Sequence, residues 1–79
     1  MQIQFYKTQN DGSQIPAGRA SLEGQRVVFH GLDGDTLEEI QNYGILVAGK
    51  VYFPEDGEKF LNALPIAYSG SRFRAGRVD

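Results

Sequence analysis

Polar and apolar residues alternate over residues 2–7, with Ile3 and Phe5 on one side and Gln2, Gln4 and Tyr6 on the other. That period of two is the pattern of a half-buried strand. Asn10-Asp11-Gly12-Ser13 follows as a turn, because Asp and Gly tolerate the positive φ that tight hairpins require. A second strand is expected to return through Gly18 to Glu23, irregular or at an edge around Pro16, which has no N–H for a ladder. Glu23-Gly24 is the next turn and residues 25–30 the third strand. With Asp11-Gly12 and Glu23-Gly24 as central turn residues, Phe5 faces Gly18, Ile3 faces Ala20, Ala20 faces Val27 and Gly18 faces Phe29. Both hairpins then place Ile3, Phe5, Ala20, Leu22, Val27 and Phe29 on one face, an agreement that a one-residue slip in either would destroy. Gly18 would sit between two phenylalanines, leaving room for both rings.

A different period governs residues 54–71, where Phe60, Leu61, Leu64, Ala67 and Tyr68 recur at steps of one, three and four. They form one face of a helix able to cover the sheet. Asp56 is the expected cap, with Glu55 and Glu58 favourably placed near the positive end of the helix dipole, and Pro65 should kink or divide the helix. Between strand and helix, Asp35 or Thr36 can cap a shorter helix, with Glu38 or Glu39 in the reciprocal position, Leu37 and Ile40 as its apolar edge and Gly44 as its end. Residues 45–53 read as a short extended piece, a turn at Ala48-Gly49 and a strand over 50–53. Residues 72–79 read as a closing strand or an extended tail. The expected architecture is a single α+β domain over residues 1–79: a three-stranded antiparallel meander plus a fourth short strand, one face covered by two helices, in the order β-β-β-α-β-α. Its core is drawn from the six sheet residues with Leu37, Ile40, Phe60, Leu61 and Leu64.

Composition narrows the chemistry. A chain of 79 residues buries only about 60–65% of its unfolded surface, so the core must be compact. With no cysteine there is neither a disulfide framework nor a thiolate metal site, which points to a reducing compartment, the cytoplasm. No signal peptide is read near Met1, and no window approaches the roughly 18 apolar residues of a membrane span. The net charge of −2 lacks the basic excess of a non-specific nucleic-acid binder.

Few residues carry a chemical motif. Asp33-Gly34-Asp35 starts like a calcium loop, but the fifth position is Leu37 and the twelfth Gly44, where oxygen ligands are required; helix capping accounts for these acids instead. His30 is the only histidine and falls on the sheet face away from the core, without a metal partner. A minimal enzyme would have to use it with Arg26 or Tyr6. Ser69 and Ser71 lack the strand-to-helix elbow of an activated serine, and the ten scattered glycines form neither a phosphate-binding loop nor a dinucleotide fingerprint. No cofactor is expected. Arg72, Arg74 and Arg77, interleaved with Phe73 and preceded by Tyr68, form a candidate contact for RNA or single-stranded DNA, set against simple solvation of a terminal strand. A second candidate surface is the uncovered sheet face, where Gln2, Gln4, Tyr6, Arg19, Ser21, Arg26, Val28 and His30 would lie together. Tyr and Arg are enriched at binding hot spots.

Residues 51–75, VYFPEDGEKFLNALPIAYSGSRFRA, and more weakly the opening QFYKTQNDGSQIPAG, resemble the C-terminal and N-terminal parts of short bacterial proteins of unknown function that share a Pro, Asp-Gly, Phe-Leu, Ala-Leu and Ser-Gly-Ser pattern. The resemblance implies a bacterial origin and no activity, cofactor or site residue. The leading expectation is a small non-enzymatic interaction module that binds a protein partner or itself, including as a homodimer, with no membrane association. The alternative is a single-stranded nucleic-acid binder.

Overall fold

A computed structural model describes residues 1–78. The meander forms as strands β1 (Gln2–Thr8), β2 (Gln14–Glu23) and β3 (Arg26–His30). After helix α1 (Gly34–Tyr43), strands β4 (Ile45–Val47) and β5 (Lys50–Tyr52) make a separate hairpin, and a 3₁₀ turn (Pro54–Asp56) leads into helix α2 (Glu58–Ala67). Strand β6 (Phe73–Arg77) returns beside β1, so the antiparallel sheet has four strands in the order β3-β2-β1-β6. The C-terminal residues are thus a closing strand rather than a tail; Asp79 lies outside the described residues. The short strand expected over 50–53 is found as β5, paired with β4 and not with the main sheet.

Phe5 lies opposite Gly18 and Ile3 opposite Ala20, as the turn at Asp11-Gly12 predicts, but the route to that register differs. The loop has three residues, Asn10-Asp11-Gly12, closed by the Gln9 amide donating to the Ser13 carbonyl at 2.8 Å, with Gly12 at φ +87°. A three-residue loop displaces the pairing by one. A bulge at Ala17, between the Phe5 and Tyr6 partners, restores it. The Asp11 carboxylate accepts from the Ser13 amide at 2.9 Å and its hydroxyl at 2.6 Å, which lowers its pKa below the ordinary 3.8. This contribution to the loop is present above that value and is lost as pH falls through the lower folded-state one.

In the second hairpin Glu23 pairs with Arg26, so the central residues are Gly24 and Gln25 and not Glu23 and Gly24. Gly24, at φ +65°, occupies the first central position that only glycine fills cheaply. Ala20 therefore faces Phe29, and Leu22 faces Val27. The displacement is two residues, so every side chain keeps its face and the six apolar residues still share one. Gly18 is not opposite Phe29. Its lack of a side chain serves another purpose: at φ +124° a Cβ would lie 2.8 Å from the backbone of Leu32, so glycine lets the chain leaving β3 cross against β2.

α2 supplies the cover. Phe60, Leu61, Ala63 and Leu64 are buried against Ile3, Phe5, Ala20 and Ala75, and Phe60 meets Phe29 edge-on at 6.1 Å. Val27 and Leu22 are half-buried at the margin of that core. The helix begins at Glu58, one residue later than a cap at Asp56 would start it. Pro54 starts the 3₁₀ turn, where the Asp56 carboxylate accepts from the Phe53 amide at 2.8 Å instead of capping α2, whose N-cap is the buried Gly57. Pro65 does not divide α2, because it stands in the last turn and removes only one bond near the end; the Tyr68 amide still donates to the Leu64 carbonyl at 2.9 Å. α1 is capped by Asp33, not Asp35 or Thr36: its carboxylate accepts from the Thr36 amide and hydroxyl, each at 3.3 Å. Gly44 ends it, donating its amide to the Ile40 carbonyl at 2.8 Å. Ile40 is the one fully buried residue of α1, and Leu37, expected in the core, is only half-buried. In the β4–β5 hairpin Ala48 at φ +53° and Gly49 at φ +80° form the expected turn. Ile45 joins the core while Leu46 and Val51 face outward.

Gly18→Ala should lower the unfolding free energy by more than about 2 kcal/mol, since it combines backbone strain with a close approach to Leu32 that the main chain cannot relieve cheaply. Gly12→Ala, with the same kind of φ but open space around it, should cost about 1 kcal/mol. Asp33→Ala should also cost about 1 kcal/mol through the lost cap. Urea denaturation of the three variants beside the wild type measures the ordering, and a Gly18→Ala protein as stable as Gly12→Ala would contradict the crossing.

Candidate interaction surface

With α2 on one side, the sheet has a second face built from the alternate residues of every strand. The cross-strand pairs Gln2↔Ser21, Gln4↔Arg19, Arg19↔His30 and Ser21↔Val28 place these residues side by side, and Tyr6 follows at the β1 end. Arg26 lies at the far end of β3, opposite Glu23. Tyr6, Arg19, Arg26 and His30 therefore share the open face, as their alternation predicts. Arg19, Arg26 and His30 are exposed, and Tyr6 is half-buried.

β6 adds a residue that the meander alone does not locate there. Arg74 pairs with Tyr6 across β1–β6, and its guanidinium lies over the Tyr6 ring, 5.3 Å from the centroid. Its Nε donates to Gln14 Oε1 at 3.0 Å, so two contacts from two strands hold the group against the sheet. Gln4 is similarly fixed, its Nε2 donating to the Gly18 carbonyl at 2.7 Å. The central side chains of the face are positioned by the sheet rather than by loops.

The arginine-rich C-terminal segment is split by the same strand. Phe73 turns to the core side, stacked on Phe5 at 5.6 Å and edge-on to Tyr68 at 5.4 Å, so its ring is engaged inside the protein and not presented to a base. Tyr68 is edge-on to Phe5 as well, at 5.9 Å. Arg77 pairs with Ile3 and has the alternation of Phe73 and Ala75, at the rim of the covered side. Arg72 precedes the strand, where its carbonyl accepts from the Thr8 amide at 2.8 Å. Of the two arginines within β6, Arg74 lies on the open sheet face and Arg77 on the covered side, while Arg72, just before the strand and opposite Thr8, keeps the alternation of Arg74. The signal was in the sequence: a strand over these residues must send Phe73 and Arg74 to opposite sides.

Charge is also segregated, a feature that the overall net charge conceals. Between Asp33 and Glu58 stand seven carboxylates and one cation, Lys50, a local net of −6; the rest of the chain carries +4, giving the total of −2. The acidic part is the segment of α1, the β4–β5 hairpin and the start of α2. The open sheet face has Arg19, Arg26 and Arg74 against one carboxylate, Glu23. Among the described residues no cluster of three or more His, Asp or Glu is arranged to hold a metal ion. Nor, among them, is any helix long and apolar enough to cross a membrane.

Burial of the Tyr68 phenol, followed by the nearby Glu39 carboxylate, raises its pKa above the ordinary 10.0. Comparison with protein-family models, with curated proteins and with solved structures finds no match to this chain.

The neutral phenol of Tyr68 is the favoured form in the fold, so its contribution is fully present below pH 10.0 and is lost as pH rises through the higher folded-state pKa. NMR titration of the Tyr68 ring should give a midpoint above 10.0 that moves down partway in Glu39→Gln and stays raised by burial. A midpoint at the ordinary value would place the ring in solvent.

Proposed function

We propose that this chain is a small non-enzymatic protein-interaction module whose contact surface is the open face of its four-stranded sheet. The observation that carries the reading is the pairing of a face covered by α2 with an uncovered one on the same sheet, the uncovered one bearing Tyr6, Arg19, Arg26, His30 and Arg74. Arg and Tyr contribute disproportionately to binding energy where they can be desolvated, and groups already held in place lose little freedom on contact. His30 is exposed on this face beside Arg19, an arrangement that serves contact better than proton transfer, which needs an oriented partner and a sheltered site. A chain without cysteine fits work in the cytoplasm.

The test is whether bulk placed on the face, at the start of an inner strand, abolishes capture. Gln2 is exposed on β1 opposite Ser21, and Gln2→Trp adds volume there without changing charge. Immobilised wild-type chain should retain a discrete set of proteins from a bacterial lysate, or itself as seen by light scattering; Gln2→Trp, folded by circular dichroism, should retain them at least about tenfold less well. A strict monomer that captures nothing, or a Gln2→Trp chain that captures as the wild type does, would sink the proposal.

A further inference from the structure

We infer that the partner of the open sheet face is an acidic polypeptide segment, bound in extended form along the diagonal from Arg26 through Arg19 to Arg74; this rests on the reading of that face as a protein-contact surface. The first ground is charge complementarity. The face is cationic in a chain of net −2, and the acidic residues are gathered in the segment from Asp33 to Glu58. An acidic partner is attracted to one part of the molecule and repelled by another, which selects both the surface and the orientation.

Geometry supplies the second ground. From the strand order and register, successive arginines of the diagonal are about 12–14 Å apart, taking strand spacing near 4.8 Å and a rise near 3.3 Å per residue. An extended chain covers that distance in about four residues, so a segment of some eight to ten residues reaches all three. These separations exceed the Debye length of about 8 Å at physiological salt, so each arginine acts through direct pairing rather than as part of a diffuse field. Guanidinium groups suit carboxylates because their planar fork donates two parallel hydrogen bonds. Arg74 is prepared for this: Gln14 engages its Nε and Tyr6 supports its plane, while the donors of its two terminal nitrogens remain at the outer end of the fork.

The same contacts disfavour a nucleic acid. Single-strand binders stack successive bases on several aromatic rings. This face carries two rings on separate strands, Tyr6, which Arg74 lies over, and His30, rather than a run of stacking platforms; Phe73 is stacked in the core.

Fluorescence anisotropy on the full chain at 50 mM and 200 mM NaCl tests the inference, with a labelled 16-residue alternating Glu-Ser peptide and a labelled oligothymidylate of equal charge as probes. The peptide should bind saturably at low salt, at least about tenfold more tightly than the oligonucleotide, and weaken at the higher salt. Arg19→Gln/Arg74→Gln should lose at least about tenfold in peptide affinity, whereas Lys50→Gln/Lys59→Gln, remote from the face, should change it less than about twofold. No saturable peptide binding at 50 mM NaCl, tighter binding of the oligonucleotide, or equal losses in the arginine and lysine variants would overturn it. If it is overturned while Gln2→Trp still abolishes capture, the surface stands and the partner chemistry is wrong; if Gln2→Trp also has no effect, the surface falls as well.

Discussion

The structure depends on one packing event: the apolar stripe of α2 closing over one side of a twisted antiparallel sheet. Phe60, Leu61 and Leu64 are fully buried there against Ile3, Phe5 and Ala20, and no other element offers a comparable apolar face. Each such side chain contributes about 1.5–3 kcal/mol when removed from water. In a chain of 79 residues, which has few buried side chains to draw on, that layer decides whether the sheet persists. α1 and the β4–β5 hairpin are secondary, adding one buried residue each, Ile40 and Ile45, to the same core.

The closing strand is fastened by the same layer. Phe73 reaches in from β6 to stack on Phe5, and Tyr68, just past the end of α2, fits edge-on against both rings. Because a strand alternates, drawing Phe73 inward turns Arg74 outward, where it meets Tyr6 and Gln14. The open face therefore owes its most firmly held cation to an aromatic contact on the opposite side of the sheet. Function proposed for that face is thus coupled to the core through a single strand.

Much of the fold was legible in the sequence because two periods, two for the meander and 3.6 for α2, are distinct over lengths long enough to read. The face assignments of Ile3, Phe5, Ala20, Leu22, Val27 and Phe29 hold although neither turn has the two central residues expected for it. In the first hairpin a longer loop and the Ala17 bulge offset one another, and in the second the displacement was an even number of residues. Face survives such errors; partner identity does not. Asp33, standing two residues before the earlier of the two expected caps, and the 3₁₀ turn at Pro54 were missed because several nearby side chains satisfy the same capping rules, and the choice among them depends on where the chain enters the helix.

Local pattern by itself determined which residues turn inward on each strand, that one helix covers them, and which side chains are left on the other face. It could do so because alternation and helical spacing are properties of neighbouring residues. Only the tertiary structure decided that β6 lies beside β1, that Gly18 yields to the crossing chain at Leu32, and that Arg74 is held over Tyr6 and against Gln14. Those outcomes rest on contacts between segments far apart in the chain, whose geometry exists only once the core has closed.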